Sequence, residues 1–211
     1  MVDEASEAPK RGRPKTFARD RAIDVAMEAY WREGTDGVPL NEVCRRAHVA
    51  KPGVYREFGG EDGLMDAALA RYAETVLAQV FERIAGDRPF AEVLEALIEF
   101  MTDTDRDMPA GCLLAKMRVV SSRLGPATRA RADALGADAR ARYADWVELA
   151  KGRGEIAPGV PTNVAAAFID TQFTMLLVQM AAGADPEQVR AQARLAFAGL
   201  VAARDLASPA S

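Results

Sequence analysis

Residues 40–58 contain two short segments, each with one apolar face, joined by about three residues. The apolar positions recur at helical spacing in both segments: Leu40, Val43, Cys44 and Ala47, then Val54, Tyr55 and Phe58. Two short helices joined this closely cannot separate, and the layout is typical of a helix-turn-helix unit. This feature predicts that the residues around it are helices packed against the pair.

The turn holds the chain's only histidine, His48. The first residue of such a turn often needs a positive φ, which glycine adopts most easily and histidine tolerates. Pro52 and Gly53 open the second helix with little side-chain bulk, and proline in a first turn loses no hydrogen bond. Ala50 stands at the cap and offers no hydroxyl, an omission that costs about 1 kcal/mol of helix stability.

The rest of the chain repeats the helical period, and no stretch alternates with period two for long enough to form a convincing strand. We expect an all-α fold of about nine helices. They cover residues 17–33, 40–47, a short helix containing Val54, and then 64–84, 90–103, 112–123, 127–151, 162–182 and 186–205. We divide the chain into an arm (1–16), a helix-turn-helix domain (17–62) and a larger helical domain (63–211).

The net charge of −4 hides a basic amino-terminal part. Residues 9–60 carry eleven Lys and Arg against seven Asp and Glu, so the other residues are strongly acidic. A basic end on an acidic body favours a nucleic-acid partner at that end. Arg11, Arg13 and Lys15 belong to an arm that either lies along phosphates or in a minor groove, or is a solvated tail.

Basic and aromatic side chains cluster on the second short helix and beside it. Lys51 and Arg56 are long enough to reach phosphates or guanine edges, and the hydroxyl of Tyr55 suits a phosphate. We therefore predict that a double-stranded DNA operator is bound by Arg11, Arg13, Lys15, Arg45, His48, Lys51, Pro52, Gly53, Tyr55 and Arg56.

The run from Phe17 to Leu64 resembles the DNA-binding domain of the tetracycline-repressor (TetR/AcrR) family. The matching residues are Gly12-Arg13-Pro14-Lys15, Phe17, Ala22-Ile23, Ala26, Gly34, Leu40, Val43, Ala47, Val49, Lys51 to Tyr55, Phe58 and Leu64. The chain departs from the family at three places. Val38-Pro39 stand where a capping Thr is usual, Ala50 replaces a capping Ser or Thr, and the acidic pair Glu61-Asp62 opens the next helix where Lys is frequent. If those carboxylates faced DNA, they would repel it.

The resemblance implies a homodimeric regulator that acts as a repressor and whose last two helices (162–205) pair with a second copy. It also implies that an apolar or amphipathic small molecule releases the protein from a near-palindromic operator. Candidate ligand-binding residues are Met101, Cys112, Met117, Trp146, Phe168, Gln172 and Met175. Two alternatives stay open: a DNA-associated helical protein without a ligand, and a redox or electrophile sensor that uses Cys112.

Other classes of protein fit less well. There is no nucleophile elbow, phosphate-binding glycine loop or set of metal-ligating residues at metal spacing, so we predict no enzyme, no cofactor and no metal. Two cysteines without a disulfide framework suit a cytoplasmic protein. Residues 164–184 are apolar, but Asp170 and several amides and hydroxyls interrupt them, which favours a helix buried on nearly all sides over a membrane span.

Overall fold

A computed structural model describes residues 18–201, and within that range every regular element is a helix. The helices are α1 (Arg19–Glu33), α2 (Leu40–Ala47), α3 (Lys51–Phe58), α4 (Glu61–Tyr72), α5 (Ala78–Ile84), α6 (Phe90–Thr102), α7 (Leu113–Val119), α8 (Pro126–Gly152), α9 (Thr162–Ala181) and α10 (Pro186–Val201). The all-α prediction is confirmed. Arg11, Arg13 and Lys15, and residues 202–205 of the predicted dimer segment, lie outside the described residues.

The first four helices pack around one apolar core. α1 contacts both α2 and α4, and α3 contacts α2 and α4. Trp31 of α1 meets Tyr72 of α4 edge to face, with ring centroids 4.8 Å apart, a favoured arrangement for two aromatic rings. Val43 and Val54 are fully buried in this core. α1 and α4 therefore hold α2 and α3 in place.

α4 and α5 form one continuous rod, joined by a π-helical turn over Ala73–Leu77. The rod passes from the first core to a second one. Leu64 and Leu69 of α4 belong to the core of the helix-turn-helix unit, whereas Val80 and Ile84 of α5 pack into the core formed by α6, α8, α9 and α10. Counted with this rod as one, the described residues contain nine helices.

The second core is rich in aromatic side chains. Phe90 of α6 lies against Trp146 of α8, with centroids 4.2 Å apart, and Phe173 of α9 contacts Phe197 of α10 at 5.3 Å. α8 and α9 run against each other along much of their lengths, and α10 packs on both α6 and α9. These contacts fix the larger domain as a helical bundle.

α9 is the one described helix that is long and apolar enough to cross a membrane by length and composition alone. It contacts α6, α7, α8 and α10, as a core helix of a bundle does. The expectation that it is buried on nearly all sides is wrong on one face. Val164 and Met175 are about half exposed there, because no element among residues 18–201 covers that side.

Smaller differences from the expected boundaries have local causes. Pro39 precedes α2 as its cap residue. The expected helix over 112–123 ends at Val119 and continues as a short 3₁₀ turn over Ser121–Arg123, and Gly125-Pro126 then starts α8. Proline suits that first helical position.

Candidate functional site

The turn between α2 and α3 has the predicted backbone conformation. His48 has φ 55° and ψ 39°, and it is the one non-glycine residue with positive φ between positions 18 and 201. The next amide, of Val49, donates to the carbonyl of Cys44 at 3.0 Å and closes the end of α2. Ala50 makes no side-chain cap, as expected. The left-handed turn sets the direction in which α3 leaves α2.

α3 presents its polar side outward. Lys51, Pro52, Tyr55 and Arg56 are exposed, and the ring of Tyr55 keeps 53% of its surface open to solvent. Gly53 and Val54 form the inward face and are buried. Gly53 thus serves the packing of α3, and its place among the DNA contacts stays a prediction.

The basic residues near α3 fall into two groups. Arg45 and Arg46 are held by carboxylates: Arg45 contacts Glu42 at 2.7 Å, and Arg46 contacts both Glu42 and Glu33. Hydrogen bonds from Arg45 and Arg46 lower the pKa of Glu42 to about 2, so these pairs persist at neutral pH. Lys51 and Arg56, by contrast, have no ion-pair partner among the described residues.

The two acidic residues at the start of α4, Glu61 and Asp62, have different surroundings. Asp62 turns toward α8, where its carboxylate accepts hydrogen bonds from the amide of Ala127 (2.9 Å) and from the amide (3.1 Å) and hydroxyl (2.6 Å) of Thr128. A Cβ added at Gly125 would stand 2.3 Å from the carboxyl carbon of Asp62, so only glycine permits this approach. We call these residues (Asp62, Gly125, Ala127 and Thr128) the α4–α8 clasp. Asp62 is engaged here, and Glu61 stays exposed.

The helices of the two cores enclose a cavity of about 190 Å³. Its walls are mostly apolar or aromatic and come from α1, the α4–α5 rod, α6, α7, α8 and α9; they include Trp31, Tyr72, Val80, Met101, Tyr143 and Phe173. The loop after α6, through Pro109 and Gly111, closes one side. The indole N–H of Trp31 donates to the carbonyl of Gly111 at 3.1 Å and ties this loop to α1.

The predicted ligand-binding residues divide between the cavity and other places. Met101 and Cys112 line it. Met117 and Trp146 lie in the packed cores instead, and Phe168 meets Phe197 of α10 edge to face. Gln172 and Met175 lie with Phe168 on the open side of α9. The prediction that these five residues line this cavity is therefore wrong, because the helical period groups residues on a face without saying which neighbour that face meets.

Cys112 is buried at the cavity wall, with its thiol hydrogen-bonded to the hydroxyl of Tyr72. Burial raises the pKa of the Cys112 thiol. The sensor alternative requires an exposed thiol of lowered pKa at a helix start. In this structure the thiol is buried, and burial moves its pKa upward, neither of which favours the sensor alternative.

Several polar residues of the cavity were missed in the sequence. Arg118 of α7 and Asp170 of α9 form an ion pair at 2.9 Å beside Tyr143 and Thr174. The sequence did point to Asp170 as unusual, since it is the single charge within an apolar stretch of 21 residues, 164–184. A buried charge needs a partner, but the 52 positions that separate Arg118 from Asp170 hide which arginine supplies it.

Comparison with known proteins agrees with this arrangement. The family model described as bacterial regulatory proteins, tetR family, matches residues 22–68, and the model described as tetracyclin repressor-like, C-terminal domain, matches residues 90–197. The chain is 32% identical over 121 residues to the HTH-type transcriptional repressor ComR of Escherichia coli (strain K12), and 31% identical over 108 residues to the HTH-type transcriptional repressor BdcR of the same organism. The matches cover 54% and 49% of this chain, and span 57% and 53% of the two relatives.

Solved structures share the fold over nearly the whole chain. A cysteine mutant of the TetR family transcriptional regulator CifR, complexed with a 26-bp double-strand operator DNA, superposes with a TM-score of 0.76 at 23% identity, over 90% of this chain and 100% of that one. The reduced form of E. coli NemR superposes with a TM-score of 0.73 at 16% identity, over 91% and 99% of the two chains. With both halves matched by its domain models, the chain belongs to the tetR family of bacterial regulatory proteins.

Proposed function

We propose that this protein is a ligand-responsive transcriptional repressor that binds a near-palindromic DNA operator as a homodimer. α3 enters the major groove, where Lys51, Tyr55 and Arg56 contact base edges and phosphates. His48 and Pro52 lie beside the sugar-phosphate backbone of the DNA. Arg45 joins them if it exchanges Glu42 for a phosphate. The relatives of similar sequence are named as repressors, and one structural neighbour is complexed with operator DNA, which supports this proposal.

The observation that carries the proposal is the place of Trp31 and Tyr72. Both side chains line the cavity, and both belong to the core that holds α2 and α3. A molecule that fills the cavity therefore touches the two helices, α1 and α4, that position α3. A ligand shifts an equilibrium only by its difference in affinity for the two states, and a hundredfold loss of operator affinity requires about 2.7 kcal/mol of such difference.

The cavity also separates this proposal from a helical DNA-associated protein without a ligand. Such a protein is expected to have a tightly packed second domain, because empty apolar space is destabilising. Here a space of about 190 Å³ lies between the two cores. Its apolar walls with a few convergent polar groups have the composition of a small-molecule site.

The proposal is tested by selecting duplexes from a random library with the purified protein. We expect enrichment of a sequence with two inverted half-sites about one helical turn apart, roughly 34 Å. The enriched duplex is then compared with random competitor by fluorescence anisotropy at fixed salt, since affinities depend on salt. A monomeric protein that enriches no sequence would contradict the proposal.

The dimer is proposed to form through the open faces of α9 and α10. Val164, Phe168 and Met175 lie on one side of α9, and Leu195 on α10 is 78% exposed. Exposed apolar side chains grouped on neighbouring helices mark an interaction surface. A second copy suits it, because a twofold axis brings the same patch onto itself and places two α3 helices on one side of the assembly.

We expect Leu195→Glu to convert the dimer to a monomer, because pairing would bury two carboxylates against apolar surface. Size-exclusion chromatography with light scattering measures the change as a halving of mass. Val119→Glu is the matched control: Val119 is 65% exposed on α7, outside the proposed interface. A Leu195→Glu protein that keeps the mass of the wild type would place the interface elsewhere.

A further inference from the structure

One end of the cavity is polar and carries charged side chains. The guanidinium of Arg118 meets both carboxylate oxygens of Asp170, at 3.0 and 2.9 Å, and reaches the hydroxyl of Thr174 at 3.4 Å. Arg140 of α8 lies 3.5 Å from the same carboxylate. Two arginines thus share one aspartate: Arg118 lines the cavity, and Arg140, whose side chain is 44% exposed, reaches the carboxylate from outside the cavity lining.

The surrounding groups add to the excess of donors. Asp170 supplies the acceptor oxygens at this end, and both oxygens are occupied by arginine. Tyr143 and Thr174 line the cavity beside the pair and bring two hydroxyl groups. Because a guanidinium has five N–H donors and no acceptor, a ligand that supplies acceptor oxygens and negative charge complements this end, whereas an ammonium group does not.

Asp170 does not need Arg118 as its only cation. If a ligand carboxylate takes the guanidinium fork of Arg118, Arg140 remains close to Asp170. The exchange therefore leaves no unpaired carboxylate on a residue that is 8% exposed. This matters because removing the only partner of a buried charge is strongly destabilising.

Size and wall chemistry limit the rest of the ligand. The volume of about 190 Å³ is somewhat larger than the engineered apolar cavity, about 150 Å³, that binds benzene. Away from the ion pair the walls are mostly aromatic and aliphatic, with Trp31, Val80 and Phe173 among them. Asp103, Thr104 and Arg106 add polar groups where the loop after α6 borders the cavity. One ring, or an aliphatic chain of comparable volume, fits this space.

We propose that the effector is a small amphipathic acid, with an apolar body about the size of one substituted ring and a carboxylate that Arg118 binds at the junction of α7, α8 and α9. That the acid acts as an effector rests on the proposed function. That Arg118 binds an acid does not depend on it. Arg118 passes close to Gly136 of α8, where an added Cβ would stand in van der Waals contact with its Nε at 3.4 Å.

Three one-ring probes that differ in charge test the inference: benzoate, uncharged benzamide and cationic benzylamine. We expect isothermal titration calorimetry to show benzoate binding at least tenfold more tightly than benzamide, and benzylamine more weakly than both. In the double variant Arg118→Gln/Asp170→Asn both charges are removed together, so no buried charge is stranded. Its affinities for benzoate and benzamide should be equal within about twofold.

The control variant is Arg32→Gln, which removes an exposed arginine paired with Glu28 on α1 and should keep the preference for benzoate. The inference is overturned if benzamide or benzylamine binds as tightly as benzoate, if the double variant keeps the preference, or if none of the three probes binds.

Operator release is measured separately with the same probes, so that failure of the inference and failure of the proposed function are distinguishable. Release by benzamide as effective as release by benzoate would support a ligand-responsive repressor and overturn the acid class. Binding of benzoate that depends on Arg118 but leaves the operator bound would support the acid site and contradict its proposed role as effector site.

Discussion

Arg56→Ala is expected to weaken binding to the selected operator by about 1–3 kcal/mol per half-site, the range for loss of a specific arginine contact to a base. Arg56 is exposed on α3 and has no carboxylate partner among residues 18–201, so its guanidinium is available to DNA. Tyr55→Ala is expected to act in the same direction, since its exposed ring and hydroxyl are both lost. Anisotropy titrations on the operator and on random duplex measure the two effects.

Arg32→Ala is the matched control for Arg56→Ala. It removes the same charge from the same small domain, but its side chain is paired with Glu28 on α1. Its effect should be small and similar on operator and random duplex. Both variants should unfold at the temperature of the wild type, because the exposed ends of these side chains contribute little to the core. If Arg56→Ala binds the operator like the wild type while Arg32→Ala does not, α3 is not the reading helix.

Asp62→Ala is expected to lower the free energy of unfolding by about 2 kcal/mol, because the carboxylate of the α4–α8 clasp accepts bonds from three donors at the start of α8. The same variant loosens the connection between α4, which holds α3, and α8, which lines the cavity. We therefore expect a weaker effect of ligand on operator affinity. Urea denaturation measures the first change, and operator titrations with and without ligand measure the second.

The clasp also predicts a dependence on pH. Burial alone would raise the pKa of Asp62, but hydrogen bonds from Thr128 and Ala127 together lower it below its ordinary value. A group whose pKa is lower in the folded state stabilises the fold above the ordinary pKa, about 4 for aspartate, and this contribution is lost as the pH falls through the folded value. The difference between wild type and Asp62→Ala should therefore be full at pH 7 and shrink below about pH 4.

Two further variants separate the clasp from a simple loss of charge. Gly125→Ala keeps Asp62 but forces it away, since the added Cβ would lie 2.3 Å from the carboxyl carbon. Asp20→Ala removes a carboxylate that pairs with Arg71 on an exposed surface, and it should change stability little. Equal losses in Asp20→Ala and Asp62→Ala would contradict a special role for the clasp.

Local features of the fold were predictable because local chemistry determines them. Apolar spacing located each helix to within a few residues, and the short turn before α3 required a positive φ at His48, which the structure has. Lys51 and Arg56 face outward as expected, whereas Tyr55, which the apolar spacing grouped with Val54 and Phe58, is 53% exposed. The burial of Gly53 was not predictable, because glycine has no side chain to reveal which way a position faces and only the packing of α3 on its neighbours decides that.

The cavity was not predictable in the same way because it exists between helices far apart in the chain. Phe168, Gln172 and Met175 share a face of α9, as expected, but the neighbouring helices direct that face outward and turn Asp170, Phe173 and Thr174 toward the cavity. The contact of Trp31 with the loop at Gly111 joins positions 80 residues apart. No periodicity in a single sequence records such pairings.

The π turn within the α4–α5 rod explains why apolar residues spaced every four positions are all buried, which a regular α-helix would not achieve. Tyr72, Val76, Val80 and Ile84 follow one another every four residues, and all four are buried. In a helix of 3.6 residues per turn, each such step runs ahead by about 40°, so the apolar stripe would wind around toward solvent. The wider turn at Ala73–Leu77 absorbs part of this angular drift and keeps one stripe in phase with both cores.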